Sequence, residues 1–231
     1  MGLWVVRSDA FWSGWILPLC VLALSGCQGG YHHTISAEQA KERYTRALQY
    51  LAVGASQPAV RELTEAVKLD PTNSELHNAL ALAYHFEGRY EFALKHYAQA
   101  LQLVPNYAEA HVNLAALYVD LARWDEAIAH GREALKNTAY QNPEKAYNNM
   151  GLAYMGKGDL ISARRAFRDA LAFHDNFPEA HRNLGTVYFQ QGYLEDAIRE
   201  FREALRLLPN YAEALVDLGV AYLERGSKAE A

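Results

Sequence analysis

From about residue 40 the chain repeats itself, and no other feature restricts its fold as tightly. Tyr50, Tyr84, Tyr118, Tyr154, Tyr188 and Tyr222 are separated by steps of 34, 34, 36, 34 and 34 residues. Ala59, Ala93, Ala127, Ala163, Ala197 and Ala231 keep the same steps, and a second alanine series runs Ala66, Ala100, Ala134, Ala170, Ala204. Gly54, Gly88, Gly158, Gly192 and Gly226 form another series in which Ala122 takes the missing place. Pro71, Pro105 and Pro209 sit at equivalent junctions. Independent series sharing one period specify stacked units, each burying its apolar face against its neighbours.

Each unit reads as two helices. Leu80-Ala81-x-x-Tyr84, Leu114-Ala115-x-x-Tyr118, Met150-Gly151-x-x-Tyr154 and Leu184-Gly185-x-x-Tyr188 place a large and a small residue one helical turn before an aromatic. The small residue admits a neighbouring helix, and the tyrosine fills the space beside it. Gly88, Gly158 and Gly192 then end the first helix, as glycine readily does in a left-handed conformation. The second helix carries Ala93-Tyr97-Ala100, Ala163-Phe167-Ala170 or Ala197-Phe201-Ala204, and Pro71, Pro105 and Pro209 lie just beyond it.

This pattern resembles the tetratricopeptide repeat, and the resemblance covers essentially all of 40–231. It implies an all-α fold, an α-solenoid in which helix pairs stack as a right-handed superhelix. The pairs fall at about 40–73, 74–107, 108–141, 144–177 and 178–211, with a partial sixth unit over 212–231, the whole domain occupying 37–231. Gly131 departs from the pattern in an aromatic slot, and Asp175 replaces a junction proline. A two-residue insertion in Asn137–Pro143 is expected to loosen the joint between repeats three and four. The sixth unit is expected to end its first helix near Gly226 and to leave part of its apolar face uncovered. Either the natural chain continues past Ala231 or this helix docks on a partner, and the first is the favoured reading.

In this architecture the first helix of each pair lines the concave surface. Counting from the packed pair gives Asn78, Leu82, His85 and Phe86 in repeat two, and Val112, Ala116 and Val119 in repeat three. Repeat four gives Lys145, Asn148, Leu152 and Met155, and repeat five Arg182, Thr186 and Phe189. An apolar strip with a few polar groups suits an extended peptide or an amphipathic helix; alternatively, several of these side chains simply pack between helices. Tetratricopeptide domains that grip chaperone C-termini use a clamp of Lys, Arg and Asn. Asn113 and Asn149 match asparagine slots, but Leu82 and Glu109 stand where that clamp has Asn and Lys, so a carboxylate clamp is not supported.

The N-terminus carries a different signal. Trp15–Leu24 is an apolar run of ten residues, too short to cross a bilayer as a helix and right for the core of a signal peptide. Leu24-Ser25-Gly26-Cys27 follows it and resembles the lipobox of bacterial lipoproteins. That resemblance implies a signal peptide over 1–26, cleavage before Cys27, and diacylglyceryl attachment and N-acylation there. Residues 28–36 become a short tether. An uncleaved inner-membrane anchor fits less well, because the apolar stretch from Phe11 is short and contains Pro18. Gln28, rather than Asp, after the lipidated cysteine implies sorting to the outer membrane by the enterobacterial rule. Two or more acyl chains make such attachment durable.

Charge and composition exclude other classes. With 22 Lys+Arg against 27 Asp+Glu the net charge is −5, which offers no basic footprint for nucleic acid. The chain has two cysteines; Cys20 leaves with the signal peptide and Cys27 is consumed by lipid, so no disulfide or thiol chemistry is expected. There is no phosphate-cradling glycine loop and no H-E-x-x-H, so no catalysis, cofactor or small-molecule substrate is expected. His77, His111 and His181 share one slot of three repeats and read as structural, while His32-His33 reads as a solvated pair in the tether. Arg164, Arg165, Arg168, Arg199, Arg202 and Arg206 read as a solvated face laced with ion pairs in preference to a headgroup or partner contact.

A lipobox, a short tether and five or six such repeats together resemble the outer-membrane lipoproteins of type IV pilus biogenesis, often called pilotins, including the form required for social gliding motility. Asn137–Gly151 looks like that family's extended junction between repeats three and four, and Leu184-Gly185-Thr186-Val187-Tyr188-Phe189 like its repeat five. The resemblance implies a periplasm-facing adaptor that binds secretin subunits or other pilus-assembly proteins and helps them assemble in the outer membrane. Two other roles are compatible with the repeats. One is a general envelope scaffold recruiting peptidoglycan hydrolases or barrel-assembly factors. The other is a regulatory subunit of a periplasmic enzyme complex.

Overall fold

A computed structural model describes residues 36–230, with side chains to 226. The signal peptide, Cys27 and most of the tether lie outside these residues. The described chain is helical, with α1 over 36–52 and α2 over Ser56–Leu69, α3 Ser74–Phe86, α4 Tyr90–Leu103, α5 Ala108–Asp120 and α6 Trp124–Lys136. It continues through α7 Pro143–Gly156, α8 Leu160–Phe173, α9 Pro178–Gln190, α10 Leu194–Leu207 and α11 Ala212–Glu230. Each helix packs on its sequence neighbours, and α3, α5, α7, α9 and α11 also touch in series, which builds an α-solenoid.

The small-residue slots explain the packing. A Cβ built on Gly151 would lie 2.5 Å from Cε1 of Phe167, and one on Gly185 would lie 2.7 Å from Cδ1 of Phe201. Both rings are essentially fully buried, so the glycine of each first helix is the seat of the aromatic on the second. Repeat two uses the larger Ala81 with the fully buried Tyr97. Repeat three has no aromatic at Gly131. There the next repeat supplies the filler, because Met150 Cγ lies 2.5 Å from where a Cβ on Gly131 would be.

The expected loose joint between α6 and α7 is instead filled. Tyr140 from the insertion packs against Ala108, Val112, Ala134 and Ala146. The Asn137 side chain accepts from the Ala139 amide at 3.1 Å, and Gln141 donates to the Ala139 carbonyl at 3.0 Å. The two extra residues therefore fold around an aromatic plug.

Two further differences concern helix ends. Gly88, Gly158 and Gly192 take positive φ at the ends of their helices, and Ala122 does the same at φ 53° despite its Cβ. Gly226, in contrast, does not end α11, which runs on to Glu230. Glycine permits the left-handed turn without enforcing it. Within α11, Leu218 and Tyr222 pack on Ala197, Ile198 and Phe201, while Leu215, Val216 and Val220 are exposed.

Candidate partner-binding groove

The expected groove residues fall on α3, α5, α7 and α9, but they divide into two layers. Asn78, Val112 and Asn148 are buried at 7%, 3% and 8% exposure, so they lie at or beneath the floor of the groove and not on its walls. Leu152 and Met155 pack with Phe167, Leu184 and Val187, Val119 with Ala127 and Ile128, and Phe189 with Ile198 and Phe201. These are partly buried between helices. Leu82, His85, Ala116, Arg182 and Thr186 are half-buried, and Phe86 and Lys145 are exposed.

The buried polar residues form a seam that the repeat arithmetic did not anticipate. Asn113 donates to Asn78 Oδ1 at 3.1 Å, and Asn183 donates to Asn148 Oδ1 at 3.0 Å. Arg182 donates to Asp217 at 2.7 Å from the same pair of slots. At the joint between repeats three and four, Asn149 donates to the Val112 carbonyl at 3.0 Å. Two turns further along, His85 meets Asp120 at 2.6 Å. Each bond ties one first helix to the next, which sets the floor of the groove. Asn113 and Asn149, the two matches to a carboxylate clamp, are both spent in this seam.

The histidine slot performs the complementary task, tying the two helices of one repeat. His77 Nε2–H donates to the Pro71 carbonyl at 3.0 Å, which leaves Nδ1 to accept from His96 at 3.0 Å. His111 repeats the arrangement with the Pro105 carbonyl and His130, whereas at His181 both ring nitrogens donate, Nε2 to the Asp175 carbonyl and Nδ1 to the Glu200 carboxylate. Burial, then the neighbouring His77, lowers the His96 imidazole to about 4. Burial works downward at His181 too, but the Glu200 carboxylate and the Asp175 carbonyl outweigh it and raise that group. The basic residues of α8 and α10 are largely paired, Arg165 with Asp169, Arg199 with Asp196 and Arg206 with Glu203. Exposed pairs of this kind contribute little to stability.

Above the seam lies a cleft of about 640 Å³ between α1, α3, α5 and the α6–α7 connection. Leu82, from the expected set, lines it over a floor that includes Asn78; Tyr44, Leu48, Glu75, Tyr107, Glu109 and Tyr140 complete the walls. Sequence counting along the first helices of repeats two to five missed these: Tyr44 and Leu48 belong to repeat one, Glu75 and Glu109 to the first turns of α3 and α5, and Tyr107 and Tyr140 sit outside the first helices. Tyr107 is the N-cap of α5 and caps with backbone alone, its carbonyl accepting from His111 at 3.1 Å. Its ring is thereby left to the cleft, whereas Asn73 at the start of α3 uses its side chain to cap Glu75 and Leu76. Tyr140 comes from the insertion, and that extra length was the available signal. Burial, then the Glu75 carboxylate, pushes the Tyr107 phenol up to about 12, and burial followed by Glu75 and Glu109 raises Tyr44.

Family comparison agrees with this geometry. Models described as tetratricopeptide repeat match residues 72–139 and 145–174, and one described as TPR repeat matches 185–226. The fold is the tetratricopeptide-repeat solenoid. A model described as bacterial transcriptional activator domain also matches 23–105, overlapping the first of these. No curated protein sequence matches the chain. Among solved structures, Pseudomonas aeruginosa PilF superposes with a TM-score of 0.72 at 21% identity, over 84% of this chain and 89% of that one. PilW, described as a widely conserved type IV pilus biogenesis factor, gives 0.70 at 24% identity over 81% and 91%. A thermophilic TPR protein of Thermus thermophilus gives 0.70 at 23% identity over 80% and 99%. Likeness at this identity speaks for the solenoid fold, and no catalytic family is among the matching models.

Proposed function

We propose that the chain is a non-catalytic adaptor of type IV pilus biogenesis, lipid-anchored through Cys27 at the outer membrane and facing the periplasm. Its solenoid groove holds a segment of a protein partner, the secretin subunit, during assembly of the secretin ring. The observation that carries this reading is the likeness to PilF and PilW, each covering more than four fifths of this chain and about nine tenths of the other. The lipobox Leu24-Ser25-Gly26-Cys27 and the following short tether support it from the sequence. Among the described residues no helix is long and apolar enough to cross a membrane. A tether of a few residues confines the groove to the membrane surface, which raises the effective concentration of a client there without any new contact.

The test is deletion of the gene followed by blotting for heat-stable secretin multimers. Loss of outer-membrane multimers, restored by the wild-type chain, is the expected result. Normal multimers in the outer membrane would refute the adaptor role. In the same cells Cys27→Ala releases the protein from membranes while leaving its helicity unchanged; a variant that stays membrane-bound would refute the lipid anchor.

A further inference from the structure

The cleft over the Asn78–Asn113 seam has a chemical bias that the rest of the groove lacks. It is lined by three phenol rings, Tyr44, Tyr107 and Tyr140, and two carboxylates, Glu75 and Glu109, with no Lys, Arg or His among its walls. Three basic side chains of the first repeat are committed elsewhere: Arg43 and Arg46 both bind Glu62, and Lys68 binds Glu65. The Tyr140 hydroxyl is buried beside the Glu109 carboxylate. The volume of about 640 Å³ accommodates several side chains of an extended segment.

We propose that this cleft receives a basic side chain, Arg or Lys, carried by an extended segment of the partner protein. The inference rests on the adaptor reading and specifies which partner chemistry the groove selects. Glu75 and Glu109 supply the charge, and the tyrosine rings supply apolar walls for the aliphatic stem and electron-rich faces for the cation. The chain uses the same contact internally, with Arg89 stacked 4.7 Å from the centre of Tyr84 and Arg123 4.5 Å from that of Tyr118. Burial and the two carboxylates hold the cleft phenols neutral well above neutral pH, so they can act only as rings and hydroxyls. An acidic or carboxylate-ended segment would meet like charge with nothing to neutralise it.

The experiment titrates the full chain with two blocked pentapeptides, Ala-Ala-Arg-Ala-Ala and Ala-Ala-Gln-Ala-Ala, following the amide resonances of Tyr107, Asn113 and Tyr140. The arginine peptide is expected to bind about 10-fold more tightly than the glutamine peptide. That preference falls as salt is raised. In the Glu75→Gln/Glu109→Gln variant the preference disappears while the thermal unfolding midpoint is kept. Equal binding of the two peptides, no binding of either at millimolar concentration, or a preference that survives in the variant would overturn the proposal. Secretin multimers lost on deletion together with no arginine preference would remove the cation cleft and leave the adaptor; normal multimers with a clear preference would do the reverse.

Discussion

One slot, occupied by glycine in three successive repeats, should respond to the same substitution with opposite signs. Gly151, Gly185 and Gly219 all lie inside helices, where alanine is favoured over glycine by about 1 kcal/mol. At Gly219 no atom of the described residues lies within 4 Å of a built Cβ, so in the 231-residue chain Gly219→Ala should stabilise by about 0.5–1 kcal/mol. At Gly151 the new methyl would lie 2.5, 2.7 and 2.8 Å from three atoms of the Phe167 ring. Normal carbon contacts are about 3.5–4.0 Å, so the ring would have to retreat by about 1 Å. Phe167 is wholly buried, and forcing such a core apart costs about 1–3 kcal/mol or slightly more. After the propensity gain, Gly151→Ala should destabilise by up to about 2 kcal/mol. Gly185→Ala should behave alike, with Phe201 at 2.7 Å and the Ala197 carbonyl at 3.2 Å. Urea titration followed by far-ultraviolet circular dichroism measures all three, and Phe167→Leu should recover part of the loss in Gly151→Ala. If the three glycine variants shift stability in one direction, the assignment of this slot as the aromatic seat is wrong.

Other consequences are as specific. Ala122 holds a left-handed backbone that the equivalent glycines adopt freely, so Ala122→Gly should raise the urea midpoint, by about 0.5–1 kcal/mol in stability. Asn183→Ala leaves the buried Asn148 oxygen without its donor and should cost about 1–3 kcal/mol, read in the same titration. His96 is held neutral in the fold, its value lowered from 6.5 to about 4. Its contribution to stability is therefore complete above pH 6.5 and declines as pH falls toward 4. A His96→Gln variant should lose less midpoint than the parent over that interval, and equal losses would show that the His77–His96 clasp is not the acid-sensitive element.

The fold was legible because its determinants are local and periodic. Tyr188, Gly185 and Phe201 recur in register, so the helix pairing follows from spacing alone. The groove was legible only in part. Counting along one helix assigns a face to Asn78 and Asn148, yet which side of that face meets solvent depends on the neighbouring repeat, and there the asparagines bond to Asn113 and Asn183. Tyr107 and Tyr140 escaped because one is a cap and the other belongs to an insertion, and neither carries a helical period. The insertion also misled: added length suggests slack, whereas an aromatic within it can close the gap, as Tyr140 does.

The central claim is that the concave cleft, and not the outer surface, holds the secretin segment. Photo-crosslinking in living cells tests it directly, with benzoylphenylalanine placed at Leu82 in the cleft or at Arg165, whose side chain is 86% exposed on α8. A secretin adduct from the Leu82 position and none from the Arg165 position is the predicted result. An adduct from the Arg165 position alone, or no secretin adduct from the cleft, would contradict the account.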